Sequence, residues 1–207
     1  PTPMVYQMLA HMMKIMDSSE LLKLNKRQAQ YLALQNQINP HFLFNTLNMI
    51  ACMAKLEEAD TTERMISSMS SLFRYNLKTS EQIVPLAQEL KVVEDYMYIQ
   101  QMRLGSRIAY DCRLEVDEEE TIIPAFTLQP IVENAIIHGL SKKEQGGKIL
   151  LKIWKEGNKV IISVADTGVG MSQESLLKLR GALKAGGTAR VGIGLGNICR
   201  RIHAMYK

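Results

Sequence analysis

Residues 34–48 have the sequence LQNQINPHFLFNTLN, in which one histidine follows a proline. Apolar residues before and after that proline recur at steps of three and four, as they do along one face of an α-helix. Pro40 lacks an amide hydrogen and clashes with the preceding turn, so the helix must bend or restart there. Asn39 followed by Pro40 is also typical of an N-cap residue and a first helical residue. The segment therefore predicts a helix that is interrupted beside His41.

The position of His41 allows two interpretations. If the helix restarts at Pro40, the positive end of the helix dipole disfavours an imidazolium and leaves a neutral ring, which is a nucleophile. Asn45 lies one turn later on the same face, where its amide can orient the ring. In the second interpretation His41 is a structural residue in the core or at a helix cap, which is the commoner role of an isolated histidine. This segment alone leaves both open.

The composition excludes several classes of protein. A chain of 207 residues, 46% hydrophobic and 22% charged, is globular and long enough for one large or two small domains. Its net charge of +4 is spread without a basic block, so no nucleic-acid partner is predicted. The three cysteines, Cys52, Cys112 and Cys199, lack metal-ligand spacing and suit a reducing compartment such as the cytosol. No apolar run reaches the roughly 18 residues of a membrane span, and no signal peptide is recognisable, so we expect any membrane anchor outside this sequence.

The first half of the chain has a helical pattern. Residues 5–38 predict one long helix, or two in line, with near-heptad spacing that suits a signalling coiled coil. A second amphipathic helix is predicted from Asp60 to Leu77, and a third from near Pro85 to Gly105. The hairpin made by the helices on either side of Asp60 has too little apolar surface to be stable alone. We therefore expect two copies to pair as a four-helix bundle, which makes the protein a homodimer.

The second half changes to strand-like alternation after Gly105. Apolar and charged residues alternate over residues 108–116, and a charged turn follows at residues 117–120. Gly157 lies in a turn between two further apolar segments, which is typical of a β-hairpin. The pattern predicts a mixed sheet with helices on one face, and hence an α+β protein. The remaining predicted elements are a helix at residues 126–139, strands at 148–155 and 159–165, and helices at 173–183 and 195–205.

Two glycine-containing segments suggest a phosphate-containing ligand. DTGVGM, at residues 166–171, follows a strand, and Asp166 at that strand end can accept a hydrogen bond from an exocyclic amine. Alone, this motif is equally typical of an ordinary turn. GIGLGN, at residues 192–197, opens the final helix, where free amides and the helix dipole bind anions. Because GIGLGN does not follow a strand, a dinucleotide-binding fold is disfavoured.

A third segment, QPIVENAIIHG at residues 129–139, completes the set. On a helix, Asn134 and His138 lie one turn apart and share a face. An asparagine that faces a phosphate pocket suits Mg²⁺, which takes oxygen ligands and usually retains water and substrate phosphates. The alternative is an ordinary polar helix face.

Together these segments resemble the bacterial sensor histidine kinases of the LytS/YesM type, which act in two-component signalling. The similarity covers nearly all of residues 30–207 and also includes VPLAQELKVVEDYMYIQQMR at residues 84–103, which resembles the helix after the phosphoacceptor region. PAFTLQPIVENAIIHG resembles the N box, and DTGVGM and GIGLGN resemble the two glycine boxes of the ATP-binding fold shared with gyrase, Hsp90 and MutL. The resemblance implies a helical dimerisation hairpin followed by a GHKL, or Bergerat-type, α/β sandwich.

The resemblance also implies residue roles. His41 would accept the phosphoryl group, and Glu133 is a candidate for orienting or activating water or the imidazole, whereas the role of Asn45 in orienting the ring rests on helical spacing alone. Asn134 would bind Mg²⁺, and Asp166 would accept the adenine amine. The implied ATP-binding residues are Asn134, His138, Asp166, Gly168, Gly170, Gly192, Gly194 and Gly196, with a lid over residues 171–191.

The implied organisation has three parts: a signalling helix at residues 1–33, dimerisation and phosphotransfer helices at 34–104, and an ATP-binding domain at 105–207. The protein would autophosphorylate His41 with Mg-ATP and pass the phosphoryl group to an aspartate of a response-regulator receiver domain. It would be the cytoplasmic region of a bacterial cell-membrane receptor.

Two departures from the family leave alternatives open. Many histidine kinases place an acid directly after the acceptor histidine, whereas this chain has Phe42. The fold usually adds two strands after the last helix, so we expect the ATP-binding domain to be truncated. These departures motivate a catalytically silent dimeric scaffold that binds nucleotide weakly or not at all. A third possibility, an ATP-driven clamp like gyrase or MutL, ranks last because it gives the segment around His41 no role.

Overall fold

The computed structural model describes residues 39–78, 82–141, 143–184 and 193–206. The chain divides into two units, which are residues 1–46 and residues 47–207. The helix predicted over residues 5–38, part of the predicted lid and Gly192 lie outside the described residues. Within the described ranges, no helix is long and apolar enough to cross a membrane.

The described elements follow the order helices, sheet, helices. The α-helices are α1 (Pro40–Leu56), α2 (Asp60–Lys78), α3 (Leu86–Leu104), α4 (Leu128–Asn134), α5 (Gln173–Lys184) and α6 (Ile193–Met205). A 3-10 turn, Gly105–Arg107, follows α3, and a π-helix, Ala135–Leu140, continues α4. The strands are β1 (Ile83–Pro85), β2 (Ile108–Leu114), β3 (Ile122–Pro124), β4 (Gly147–Glu156) and β5 (Lys159–Asp166).

Helix α1 begins at Pro40 because Asn39 caps it. The Asn39 side-chain oxygen accepts hydrogen bonds from the backbone N–H groups of His41, at 3.1 Å, and Phe42, at 3.2 Å. These amides have no partner within the helix, so the cap supplies one. The predicted cap followed by a proline at the first helical position is confirmed. His41 thus occupies the first turn of a helix.

A mixed three-stranded sheet has the order β2-β4-β5. Strand β4 runs parallel to β2 and antiparallel to β5, and Gly157, with φ of 59°, lies in the hairpin turn. Ile149, Leu151 and Ile153 project from one face of β4 and are completely buried. On the opposite face, the Lys152 ammonium forms a 3.1 Å ion pair with Glu115. The predicted mixed sheet, covered by helices on one face, is confirmed over the described residues.

Helix α3 packs into the core that covers this sheet. Its side chains Leu86, Val93 and Met97 belong to the same buried cluster as Leu128 of α4 and Ile149 of β4. The predicted domain boundary after residue 104 stays a prediction. The hydrophobic core against the sheet nevertheless includes side chains of α3, which precedes that boundary in the chain.

Two parts of the fold differ from the sequence-based expectation. Strands β1 and β3 form a separate antiparallel pair, with Val84 opposite Ile123. Three-residue strands are too short to show alternation in the sequence. The helix predicted to begin at Phe126 begins at Leu128, because Phe126 has a left-handed backbone with φ of 58°. It also changes from α to π at Ala135.

Candidate functional site

Asp166 ends β5 beside the π-helix that continues α4. Its Oδ1 accepts a 2.8 Å hydrogen bond from the backbone N–H of Gly168, which fixes the turn directly after the strand. A Cβ atom on Gly139 would lie only 2.6 Å from the same oxygen, so a larger residue there would displace the carboxylate. The Asp166 side chain is nevertheless exposed and keeps further acceptor capacity for a ligand.

Gly168 packs directly on the backbone of the π-helix. The Gly139 carbonyl oxygen accepts a 3.1 Å hydrogen bond from Val169 N–H. Gly170 follows with φ of 68°, a conformation that glycine adopts without strain. The structure therefore brings Asp166, Gly168 and the end of the segment predicted as the N box into one site.

Thr167 anchors this turn, although nothing in the DTGVGM motif marks it for that role. Its N–H donates to the Lys148 carbonyl, at 3.1 Å, and its Oγ1 accepts from the Lys148 N–H, at 2.9 Å. The Thr167 carbonyl in turn accepts from the Lys143 ammonium, at 2.8 Å. These bonds join the turn to the beginning of β4 and to the segment after the π-helix. No spacing in the sequence indicates them, because the partners come from separate elements.

The π-helix changes how the N-box side chains are arranged. Asn134 is the last α-helical residue and is half-buried, whereas His138 lies within the π-helix and is exposed. The Ser141 N–H donates to the Ile136 carbonyl at 2.8 Å, a five-residue step. Single π-helical turns inside α-helices are frequent at functional sites. Asn134 and His138 were expected to share a face because residues four apart do so in an α-helix. That expectation stays a prediction, because His138 lies in a π-helix.

Glu133 interacts electrostatically with Tyr96 of α3. Burial of the Tyr96 hydroxyl, followed by the negative charge of Glu133, raises the pKa of Tyr96 to about 12. The charge of Glu133 thus acts on a side chain of α3. Its predicted role toward water or the imidazole stays a prediction.

His41 is exposed, and its ring is next to Asn45. The Asn45 Nδ2 atom lies 3.3 Å from His41 Nδ1 and 3.5 Å from Nε2, which is the contact expected one turn along the helix. Phe42, which replaces the acid found in many kinases, has 69% of its surface exposed. The His41 ring is therefore accessible and is not a core residue of the described unit.

The second glycine segment enters the last helix earlier than expected. Helix α6 begins at Ile193, whereas the sequence predicted a start at Leu195. Gly194 and Gly196 consequently lie in its first turns, and Gly196 is buried. Gly192 lies outside the described residues, and the phosphate-binding role of the three glycines stays a prediction.

Comparison with known families agrees with these features. A histidine kinase family model matches residues 29–108, and a model for histidine kinase-, DNA gyrase B- and HSP90-like ATPases matches residues 124–207. The first match contains His41, and the second contains the Asp166 turn and the π-helix. The chain belongs to the sensor histidine kinase family, as its motifs predicted.

The chain is also similar to two sensor histidine kinases and to a sensor protein. The chain is 37% identical over 193 residues to sensor histidine kinase YpdA of Escherichia coli strain K12, covering 91% of this chain and 32% of that protein. It is 32% identical over 199 residues to sensor histidine kinase YesM of Bacillus subtilis strain 168, covering 96% and 33%. It is 36% identical over 187 residues to sensor protein LytS of Oceanobacillus iheyensis, covering 89% and 32%. The chain spans about a third of the length of these relatives.

Among solved structures, the chain is similar to a histidine kinase domain from the Erythrobacter litoralis EL346 blue-light activated histidine kinase. The TM-score is 0.40 at 16% identity, covering 75% of this chain and 74% of that chain. The fold described above is assigned from the sheet and hydrophobic core of this chain itself.

Proposed function

We propose that this chain is the kinase region of a sensor histidine kinase that transfers the γ-phosphoryl group of ATP to His41. The phosphoryl group then passes to an aspartate of a response-regulator receiver domain. The observation that carries the proposal is the exposed His41 ring beside Asn45, in the first turn of a helix capped by Asn39. The match of residues 124–207 to the histidine kinase-type ATPases supports the proposal that the same chain binds the ATP from which His41 is phosphorylated.

ATP would bind where the Asp166 turn meets the π-helix. The exposed Asp166 carboxylate accepts the adenine amine, and the close contact of Gly168 with Gly139 leaves the turn no room for a side chain. Thr167 and Lys143 hold this turn in place. A turn that is already fixed in this way lowers the ordering cost of binding.

Mg²⁺ would depend on Asn134 and on the nucleotide. Among the described residues, no three His, Cys, Asp or Glu side chains lie close enough together to hold a metal ion. Asn134 is half-buried at the junction of α4 and the π-helix and offers one amide oxygen. This fits Mg²⁺, which commonly takes few protein ligands and completes its shell with phosphate oxygens and water. The ion would neutralise phosphate charge during transfer.

The transfer itself is a displacement at phosphorus. A ring nitrogen of neutral His41 donates its lone pair to the γ-phosphorus, the bond from that phosphorus to the β–γ bridging oxygen breaks, and ADP leaves. The proton on the other ring nitrogen is then released to water. An aspartate oxygen of the receiver domain later attacks the same phosphorus, the P–N bond breaks, and the ring takes a proton from water, which restores neutral His41. Asn45 orients the His41 ring through the contact of its amide with the ring nitrogens. This orientation matters because positioning and charge neutralisation supply most of the rate in phosphoryl transfer.

We further propose that the protein is a homodimer joined through α1. One face of this helix is apolar yet exposed, with Met49 at 60%, Met53 at 55% and Leu56 at 80% of their surfaces accessible. These residues recur at steps of four and three, so they line one side of the helix. Ala54, on the opposite side, is buried. A second copy of the same helix is an occupant of matching chemistry, and pairing would complete a bundle.

Radiolabelled ATP tests the proposed function. We expect the protein, incubated with Mg²⁺ and γ-labelled ATP, to acquire label that is stable in base and lost in acid. His41→Gln should carry no label, whereas His203→Gln, which changes an exposed histidine in α6, should be labelled like the wild type. Label on His41→Gln would disprove the acceptor assignment. The absence of both label and saturable nucleotide binding would instead support the silent scaffold.

A further inference from the structure

Glu89 of α3 has no exposed surface, yet its carboxylate is saturated with hydrogen bonds. Its Oε1 accepts from the N–H of Phe126, at 2.6 Å, and its Oε2 accepts from those of Thr127, at 2.9 Å, and Leu128, at 2.7 Å. These amides stand where α4 begins and have no partner within that helix. A negative group is also favoured at this end of the helix dipole. Glu89 therefore caps α4 from a different helix.

The same carboxylate is bonded to α2. The Tyr75 hydroxyl donates to Glu89 Oε1, and its oxygen accepts from Phe126 N–H at 3.2 Å. Burial, and then the hydrogen bond to Glu89, raise the pKa of Tyr75 well above its usual range, which keeps the hydroxyl a donor. The Tyr75 and Phe126 rings also pack with their centroids 4.8 Å apart. One buried group thus joins α2, α3 and the start of α4.

A third helix holds the same turn. The Arg201 guanidinium of α6 donates to the Ala125 carbonyl and lies 5.7 Å from the centroid of the Phe126 ring. Phe126 itself has a left-handed backbone, a conformation that surrounding contacts must maintain. The turn before α4 is therefore held by side chains of α2, α3 and α6. Helix α6 also contains Gly194 and Gly196 of the second glycine segment.

The Tyr75 bond is not needed to satisfy Glu89, which already accepts three amides. A second polar bond connects the same two helices, because Ser68 Oγ donates to Asp95 Oδ1 at 3.0 Å in a buried position. Hydrogen bonds are directional, so two of them along one helix pair favour a single axial register between α2 and α3. The α2–α3 contact therefore resists sliding, and Glu89 connects that register to α4.

We propose that Glu89 is a positioning residue that, through the Tyr75 hydroxyl and the amides of residues 126–128, sets the position of the helix carrying Glu133 and Asn134 relative to α2. This inference rests on the proposed function. Glu89 does not touch the reacting atoms. It transmits the placement of α2, which follows the histidine-bearing helix in the chain, to the helix on which the nucleotide site is built.

Tyr75→Phe is the sharper test because it removes only the hydroxyl and leaves Glu89 bound to its three amides. We expect kcat for autophosphorylation to fall by about tenfold, the effect of losing one hydrogen bond to a charged group. The KM for ATP should stay within about twofold of the wild type, because the start of α4 remains capped. Glu89→Gln, which also loses acceptor capacity at the amides, should lower kcat and raise KM. Tyr206→Phe and Glu94→Gln, at exposed positions, are the matched controls.

Hydrogen exchange in the nucleotide-free protein gives a readout that does not need kinase activity. The amides of residues 126–128 should exchange faster in Glu89→Gln than in Glu94→Gln, while the amides of β4 are unchanged. If wild-type protein is not labelled by ATP, the proposed function fails. The exchange rates of the amides of residues 126–128 then decide by themselves whether Glu89 holds the start of α4. The inference is wrong if Tyr75→Phe keeps wild-type kcat in a labelled protein. It is also wrong if kcat of each variant falls only in proportion to its folded fraction.

Discussion

Gly139 and Gly168 pack backbone against backbone: a Cβ atom at Gly168 would lie 2.4 Å from the Gly139 carbonyl carbon and 2.5 Å from its α-carbon. This packing joins the turn after β5 to the π-helix that continues α4. Because backbone atoms occupy the space, neither partner can move aside as a flexible side chain would. The proposed nucleotide site therefore depends on the absence of a side chain at residue 168.

Gly168→Ala should weaken ATP binding by at least about tenfold, since the added methyl forces the Asp166 turn away from the π-helix. Isothermal titration with ATP measures the effect. Gly157→Ala is the control, because a Cβ atom there meets nothing within 4 Å and Gly157 lies at the opposite end of the β4–β5 hairpin from Asp166. Its φ of 59° makes an alanine destabilising by about 1 kcal/mol, but the affinity for ATP should be unchanged. Equal ATP affinity in Gly168→Ala and wild type would show that the glycine packing does not shape the site.

Thr167→Val removes a hydroxyl while keeping the shape of the side chain. The Lys148 N–H then loses its acceptor, so the free energy of unfolding should fall by about 1 kcal/mol, at the low end of the range because the bond is exposed. Urea unfolding of Thr167→Val and of Thr62→Val, an exposed position on α2, measures the difference. If both variants lose the same stability, the Thr167 hydroxyl is not an anchor of the turn.

Met53→Glu should dissociate the proposed dimer. The substitution places a charge in the exposed apolar face of α1, where pairing with a second copy would desolvate it. Light scattering should report a monomer at concentrations at which wild type is a dimer. Asn48→Glu adds the same charge to a neighbouring face of the helix and should stay dimeric. A wild-type protein that is monomeric at every concentration would contradict the pairing.

Buried tyrosines should make the fold sensitive to alkali. The pKa of Tyr96 is raised to about 12, whereas a tyrosine in the unfolded chain ionises near 10. Below about pH 10 both states keep the proton, but above it the unfolded state loses protons first, so the free energy of unfolding falls as pH rises toward 12. Tyr96→Phe should show a shallower decline than Tyr206→Phe in urea unfolding across this range. Identical slopes would show that Tyr96 is not responsible.

Local sequence signals predicted much of the fold. Asn39 and Pro40 set the start of α1, Gly105 ends α3 with φ of 64°, and Gly157 forms the β4–β5 turn. Each of these features depends on neighbours a few residues away, so the sequence shows them. The same holds for the Asn45 amide beside His41, which follows from helical spacing.

What the sequence did not show depends on contacts between distant segments. Glu89 is one acid among many in the sequence, and its partner amides lie 37 to 39 residues later. Lys143 binds the Thr167 carbonyl 24 residues away. The π-helix at Ala135–Leu140 has no signature of its own, since its residues also suit an α-helix. These contacts hold the candidate site in place, whereas the residues predicted to bind the nucleotide belong to the sequence motifs.

The central claim is that ATP phosphorylates His41. Mass spectrometry of peptides from protein incubated with Mg-ATP, handled without acid, locates the phosphate directly. We expect one acid-labile phosphoryl group on the peptide that contains His41. We expect its loss in Asp166→Asn, because an amide can keep the bond from Gly168 N–H but presents an NH2 donor where the carboxylate would accept the adenine amine. Phosphate on another residue, or an unmodified His41 in protein saturated with Mg-ATP, would contradict the account.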